Sequence, residues 1–107
     1  MNEIDVKRAA RREANLRTVN ERVTAAIDSM DPAVTEYTVV CECSLANCDS
    51  TFAVPVDTYN DVRTNDARFL TRPTHVFDLI ERIVQRGGPW VVVEKRGSAA
   101  DEVEGET

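Results

Sequence analysis

All three cysteines of the chain lie in one short stretch, Cys41-Glu42-Cys43-Ser44-Leu45-Ala46-Asn47-Cys48, and the only histidine, His75, follows downstream. Three thiols cannot all pair as disulfides, and a one-residue spacing strains any bridge between Cys41 and Cys43. Thiolates and imidazole are the ligands of structural zinc sites, in which Cys3His is a closed four-ligand set. We therefore predict a structural Zn²⁺ site formed by Cys41, Cys43, Cys48 and His75.

Other interpretations of the cysteine stretch remain open. The thiols could be free and buried or redox-active, or they could bind an iron–sulfur cluster, although such clusters usually use four thiolates. Asp49 or Asp57 could replace His75 as the fourth ligand. If His75 is not a ligand, the three cysteines could hold an open catalytic zinc with Glu42 or Asp49 nearby as a base.

Short strands are predicted on both sides of the cysteine stretch. Residues 36–43 and 51–56 alternate apolar and polar side chains, and Pro55 restricts the second strand to an edge or to its last paired position. Asp57 or Thr58 can cap a short helix that carries Tyr59 and Val62. Phe69-Leu70 predicts a brief third strand. The aromatic residues are spaced as core residues rather than as a platform for stacking bases.

Residues 77–95 fit two patterns. Apolar residues at helical spacing could end at Gly87-Gly88, or residues 81–86 and 90–94 could form a β-hairpin around Gly87-Gly88-Pro89. We favour the hairpin, because Trp90-Val91-Val92-Val93 is strongly β-prone in either case. Alternation then places Trp90 and Val92 on one face of the strand.

A long helix is predicted over residues 3–29, because neither Gly nor Pro interrupts them and Asp31-Pro32 follows. Its apolar residues recur at spacings of three and four: Leu16, Val19, Val23, Ala26, Ile27 and Met30. We expect this stripe to be buried. Residues 3–12 have few large apolar side chains and are expected to project from the domain or to dock on a partner.

The predicted fold class is α+β, with the long N-terminal helix packed on a small antiparallel sheet of about four or five strands and a zinc knuckle at one edge. We divide the chain into an N-terminal helix (residues 1–30), a zinc-stabilised α+β body (31–96) and a disordered acidic tail (97–107). The tail is expected to be disordered because its residues are small and acidic, with Val103 as a lone larger apolar residue.

Charge is unevenly distributed along this chain of net charge −6. Residues 7–22 contain six basic and two acidic side chains, whereas residues 23–62 contain no Lys or Arg. The basic helix, through Arg8, Arg11, Arg12 and Arg22, is the predicted contact for a protein partner or for a second copy of the chain. A nucleic-acid-associated regulator is an alternative, although an acidic protein repels phosphate backbones. A thiol redox switch is another.

Several function classes are not favoured. No apolar run approaches the ~20 residues that cross a bilayer, and the N-terminus lacks the pattern of a secretory signal, so we expect a cytoplasmic protein. Neither G-x-x-x-x-G-K nor G-x-G-x-x-G occurs, and the sole histidine is assigned to metal. We expect a non-catalytic protein with no small-molecule substrate.

Motifs along most of the chain resemble a family of small, uncharacterised actinobacterial proteins. The resemblance covers roughly residues 11–95 and rests on Arg12-Glu13-Ala14-Asn15, Cys41-Glu42-Cys43 with Cys48, Tyr59 with Val62-Arg63, Arg68-Phe69-Leu70, Pro73 with His75, Glu81-Arg82-Ile83-Val84 and Val91-Val92-Val93-Glu94-Lys95. It implies that the three cysteines and His75 form one site, and it implies no activity. The family often has an acidic residue after its histidine, where this chain has Val76.

Overall fold

The structure, a computed structural model, describes residues 3–45 and 47–95, with side chains described from Lys7 onward. It begins with the 28-residue helix α1 (Glu3–Met30). The strands of the described part are β1 (Glu36–Val40), β2 (Thr51–Pro55), β3 (Arg68–Thr71), β4 (Glu81–Arg86) and β5 (Val91–Lys95). A short helix, α2 (Val56–Val62), joins β2 to β3, and a 3₁₀ turn (Pro73–His75) follows β3. This arrangement confirms the predicted α+β class.

The strands form two antiparallel sheets rather than one. β1 pairs with β2, and Pro55 occupies the last paired position opposite Glu36, as predicted. The second sheet has the order β3-β5-β4. The two sheets meet where the Glu42 backbone N–H donates a hydrogen bond to the Leu70 carbonyl at 2.8 Å. The expected single sheet is divided because the chain leaves the β1–β2 ladder after Cys41, and the next residue, Glu42, bonds to Leu70 of β3 instead.

The β4–β5 hairpin confirms the favoured interpretation of residues 77–95. The Gly87 N–H donates to the Trp90 carbonyl at 2.9 Å and closes the turn. Gly88 in this turn has φ +84°, a backbone conformation that side chains with a Cβ rarely adopt. The glycines therefore determine where the strand reverses.

Alternation along β5 separates two apolar clusters. Trp90 and Val92 face the main core, which also contains the buried aromatic rings of Tyr37 and Tyr59. Those rings meet edge to face, with centroids 5.2 Å apart. The other face of β5 carries Val91 and Val93 toward the helix, with Phe69 and Ala10.

Helix α1 packs on the sheets through a different face from the predicted one. Among the side chains of α1 that the structure describes, from Lys7 to Met30, the buried ones are small or polar: Ala9, Ala10, Glu13, Arg17, Asn20 and Thr24. Within the predicted stripe, Val19 is 45% exposed and Met30 is 86% exposed. Val23 and Ala26 are also exposed, and Leu16 and Ile27 are half-buried. The predicted burial is therefore wrong for most of the stripe, because the polar face has charged and amide partners in the body.

Four further expectations about segments of the chain have different outcomes. Residues 3–12 do not simply project, since Ala9 packs with Ile80 and Ala10 with Phe69. The N-cap residue of α2 is Pro55, without a side-chain hydrogen bond, so the predicted cap at Asp57 or Thr58 is wrong.

The tail of residues 97–107 lies outside the described residues, and the predicted domain division stays a prediction. Within the described ranges, no helix is both long and apolar enough to span a bilayer.

Candidate metal centre

Four potential metal ligands converge where the two sheets meet. One donor atom from each of Cys41, Cys43, Cys48 and His75 lies within 4.8 Å of the other three. His75 Nδ1 is 3.5 Å from Cys41 Sγ and 3.4 Å from Cys48 Sγ. A tetrahedral zinc with bonds of about 2.3 Å to sulfur and about 2.0–2.1 Å to nitrogen has sulfur–nitrogen edges of about 3.6 Å. The predicted residues are thus brought together in a cluster that could hold a metal ion.

The carboxylates considered as alternative ligands do not join this cluster. Among the described residues, the group that could hold a metal contains neither Asp49 nor Asp57. Asp49 instead lines an open groove beside the site, together with Leu45, Asn47, Cys48, Ser50 and His75. The groove gives solvent and metal ions an approach to the two half-buried donors, Cys48 and His75.

Backbone hydrogen bonds position the donors. The Cys41 N–H donates to the Ser50 carbonyl at 2.9 Å, which continues the β1–β2 ladder by one pair. The Cys48 N–H donates to the Leu45 carbonyl at 3.1 Å and closes the loop. His75 ends the 3₁₀ turn, in which its N–H donates to the Arg72 carbonyl at 3.0 Å. Three of the four donors, Cys41, Cys48 and His75, therefore lie on backbone segments that are held by local hydrogen bonds.

The two buried thiols of the cluster, Cys41 and Cys43, have pKa values that are shifted in opposite directions. A hydrogen bond with Cys41 lowers the pKa of Cys43 to about 5, even though burial opposes this. The same pair interaction, together with burial, raises the pKa of Cys41. The Arg72 N–H also donates to Cys41 Sγ at 3.3 Å, and this contact favours the thiolate. One negative charge is thus already stabilised in the cluster, and metal binding must displace the remaining protons.

Glu42 has a role that the sequence did not indicate. Its side chain is fully buried, and its carboxylate accepts hydrogen bonds from the Leu70 N–H at 2.9 Å and from Asn20 Nδ2 at 2.7 Å. It also pairs with the Arg63 guanidinium. Burial lowers the pKa of Arg63, but the Glu42 carboxylate and Tyr59 together more than offset this, so that the pKa is raised. With its oxygens engaged in this way, Glu42 anchors the cysteine loop to α1 and β3 and is poorly placed to act as a base.

Asn20 on α1 completes this anchor. Its Nδ2 donates to the Val40 carbonyl at 2.9 Å, and its Oδ1 accepts from the Val40 N–H at 2.9 Å. The side-chain amide therefore satisfies both backbone groups of the last residue of β1, as a neighbouring strand would. This fixes the point at which the chain turns into Cys41.

A second buried charge cluster lies under the first half of α1. Lys95 Nζ, at the end of β5, pairs with both Glu13 and Glu81, and all three side chains are buried. Burial raises the pKa of Glu13 to about 9, against the opposing effect of the Lys95 ammonium. Burial, with Glu81 as a second carboxyl group beside the single cation, therefore favours the protonated form of Glu13. The spacing of Ala10, Glu13, Arg17, Asn20 and Thr24 could have indicated this buried face, but charged side chains at such spacing usually face solvent.

The arginines predicted to bind a partner have different environments. Arg8, Arg11 and Arg22 are exposed, and Arg12 is half-buried. Arg17, in the same basic stretch, is buried and donates to the Asp66 carbonyl at 2.7 Å. The basic stretch therefore supplies both a surface and part of the packing of α1.

Comparison of the chain with protein-family models, curated proteins and solved structures found no match. The resemblance to small actinobacterial proteins therefore stays a prediction.

Proposed function

We propose that this protein is a small zinc-stabilised protein-interaction or regulatory module without catalytic activity. The observation that carries this proposal is the convergence of Cys41, Cys43, Cys48 and His75. Three sulfurs and one imidazole nitrogen suit zinc, whereas iron–sulfur clusters usually require four thiolates and magnesium or calcium require oxygen. With four protein ligands the zinc has no open position for a substrate, which favours a structural role.

Zinc at this site would connect the two sheets. Cys41, Cys43 and Cys48 belong to the loop between β1 and β2, and His75 follows β3 of the other sheet. A chain of this length forms a thin core, and apparent zinc-binding free energies of about 10–16 kcal/mol can be coupled to folding. The metal would therefore stabilise the arrangement on which the rest of the surface depends.

The exposed side of α1 supports an interaction role. Val19 and Val23 are 45% and 37% exposed, and Leu16 beside them is only half-buried. Arg8, Arg11 and Arg12 lie on the preceding turns. An apolar strip with a basic end suits an acidic, partly apolar protein segment. Nucleic acid is a weaker candidate, because the chain as a whole carries a net charge of −6.

Native and denaturing mass spectrometry of the purified chain tests the metal site. We expect one zinc per chain under native conditions and none after denaturation. Cys48→Ser and His75→Ala should each lose the metal and lower the melting temperature. Asp49→Asn is the matched control, because Asp49 lines the same groove without joining the cluster, and it should retain zinc.

A chelator provides a second readout. Trp90, the only tryptophan, is 5% exposed and belongs to the same core cluster as Cys41 and Cys43. Removing zinc should shift its fluorescence to longer wavelength as this core loosens. Zinc retained by His75→Ala would contradict the closed four-ligand set, and a purified chain without any metal would contradict the zinc proposal itself.

A further inference from the structure

One side of α1 combines positive charge, apolar surface and an open groove of about 370 Å³. The described residues that line this groove are Arg8, Arg11, Arg12, Asn15, Leu16 and Val19. No acidic side chain is among these lining residues. Arg12 Nε is buried and has no hydrogen-bond acceptor within the described part of the chain. We call these six residues the α1 face.

The chain leaves the described structure beside this face. β5 ends at Lys95, and Lys95 Nζ pairs with Glu13, one residue from Arg12 on α1. Asp101 is six residues beyond Lys95, and an extended chain of that length reaches up to about 20 Å. From Glu13 to Arg8 the helix rises only about 7.5 Å. The last residues of the chain can therefore reach the whole basic part of the α1 face.

The composition of residues 97–107 complements the α1 face. This segment has four acidic side chains, no basic one and a single larger apolar residue, Val103. The α1 face has three arginines, with Leu16 and Val19 next to them. Opposite charge beside a small apolar contact is the pattern by which charged, weakly structured segments bind a helix surface.

We propose that the acidic segment 97–107 binds the α1 face of its own chain, with its carboxylates on Arg8, Arg11 and Arg12 and Val103 against Leu16 and Val19. This inference rests on the proposed function, because it names what occupies the interaction surface of α1. The segment acts as a built-in competitor. A protein partner for the α1 face must then carry a similar acidic, partly apolar segment that displaces it.

Binding within one chain is favoured over binding to a second copy. A short tether gives the segment an effective concentration in the millimolar range at the α1 face. A symmetric contact between two copies through the same arginines would bring like charges together. The geometry and the charges therefore both favour the intramolecular arrangement.

Backbone amide NMR of the full zinc-loaded chain tests this inference. The variant is Asp101→Asn/Glu102→Gln/Glu104→Gln, which removes three charges without shortening the chain. We expect its amide shifts to differ from those of the parent within residues 8–19. The differences should shrink in about 0.5 M salt, which screens exposed charges. Asp57→Asn/Asp61→Asn, which neutralises two exposed carboxylates on α2, is the control and should leave residues 8–19 unchanged.

The reciprocal experiment changes arginines of the helix and measures the amide shifts of residues 97–107. Arg8→Gln/Arg12→Gln should shift the amides of residues 97–107, whereas Arg22→Gln should not, because Arg22 lies about 15 Å beyond Arg12 along the helix. Unchanged shifts in both directions would overturn the inference. Shift differences that disappear on tenfold dilution would place the segment on a second copy and overturn the intramolecular arrangement. Zinc content measured on the same samples keeps this result separate from the metal proposal.

Discussion

Asn20 Nδ2 donates a hydrogen bond to the buried carboxylate of Glu42 at 2.7 Å, across 22 positions of sequence. Asn20 lies on α1, and Glu42 lies between two of the proposed zinc ligands. This bond, with the two bonds from Asn20 to Val40, connects the helix to the start of the cysteine loop. The position of the proposed metal centre therefore depends on the docking of α1.

Asn20→Ala should destabilise the fold. The substitution leaves the N–H and C=O of Val40 without their partner and removes one donor from Glu42. Leaving buried polar groups unsatisfied costs about 1–3 kcal/mol, so we expect the free energy of unfolding to fall by about 2–3 kcal/mol. Denaturant unfolding of the zinc-loaded protein measures this. Asn15→Ala, an exposed position of the same helix, should change it by less than about 0.5 kcal/mol. Equal effects of the two variants would contradict the anchoring role of Asn20.

Glu42→Gln should be more damaging, because it leaves the Arg63 guanidinium without its counter-charge. The Arg63 side chain is only 11% exposed, and that of Glu42 is fully buried. Breaking a buried pair from one side costs about 3–5 kcal/mol. Glu94→Gln is the matched control, because Glu94 pairs with the more exposed Arg68 and Arg82 and should cost less than about 1 kcal/mol.

Zinc affinity, measured by competition with a chelator, gives the Glu42 variant a second readout. Partners that orient metal ligands typically change affinity by about 10–100-fold. We expect Glu42→Gln to weaken zinc binding within that range and Glu94→Gln to leave it unchanged. An unaltered affinity in Glu42→Gln would show that Glu42 stabilises the fold without positioning the cysteines.

The buried Glu13 predicts a particular dependence of stability on pH. Its pKa is raised from 4.5 to about 9 in the folded protein, chiefly by burial, so the folded state holds a proton that the unfolded state releases. Stability from this group is fully present below about pH 4.5 and is lost as pH rises toward 9. The slope is at most about 1.4 kcal/mol per pH unit.

Glu13→Gln should remove this contribution, so that the stability difference between parent and variant changes steadily from pH 6 to 9. Denaturant unfolding at several pH values measures it. Glu21→Gln, at an exposed carboxylate that pairs with Arg17, should show no such trend. A pH-independent difference for Glu13→Gln would mean that Glu13 is ionised in the folded state.

Gly87→Ala should disturb the β4–β5 turn more than Gly88→Ala. A Cβ at position 87 would lie 2.1 Å from Cζ2 of Trp90, which is buried and cannot move aside without opening the core. Overpacking of this kind costs about 1–3 kcal/mol. At Gly88 a Cβ meets nothing within 4 Å, and only the positive φ opposes it, at a cost of about 1 kcal/mol. Trp90 fluorescence should change in Gly87→Ala alone, and an unchanged spectrum there would contradict the predicted clash.

Much of the local structure could be predicted from the sequence. Asp31-Pro32 predicted the end of α1, and Gly87-Gly88-Pro89 predicted the β4–β5 hairpin, because these residues restrict the backbone wherever they occur. The cysteine stretch and His75 also predicted one cluster. The reason there is ligand chemistry, since few combinations of side chains bind zinc.

The packing of α1 was not predicted correctly. Its apolar residues indicated one face, but the buried face carries Glu13, Arg17 and Asn20. Each of these has a partner far away in sequence: Lys95, Asp66 and Glu42. No periodicity within the helix shows that such partners exist, and a charged side chain without one would face solvent.

The sequence by itself determined the helix, the strand-forming segments, the turns and the set of donors for a metal, because these follow from backbone restrictions and ligand chemistry within short stretches. Only the tertiary structure decided which face of α1 is buried, how the strands divide between two sheets, and that Glu42 anchors the cysteine loop. These features depend on the pairing of buried charges and amides across distant segments. A buried charge or amide is stable only when the folded chain places its partner beside it.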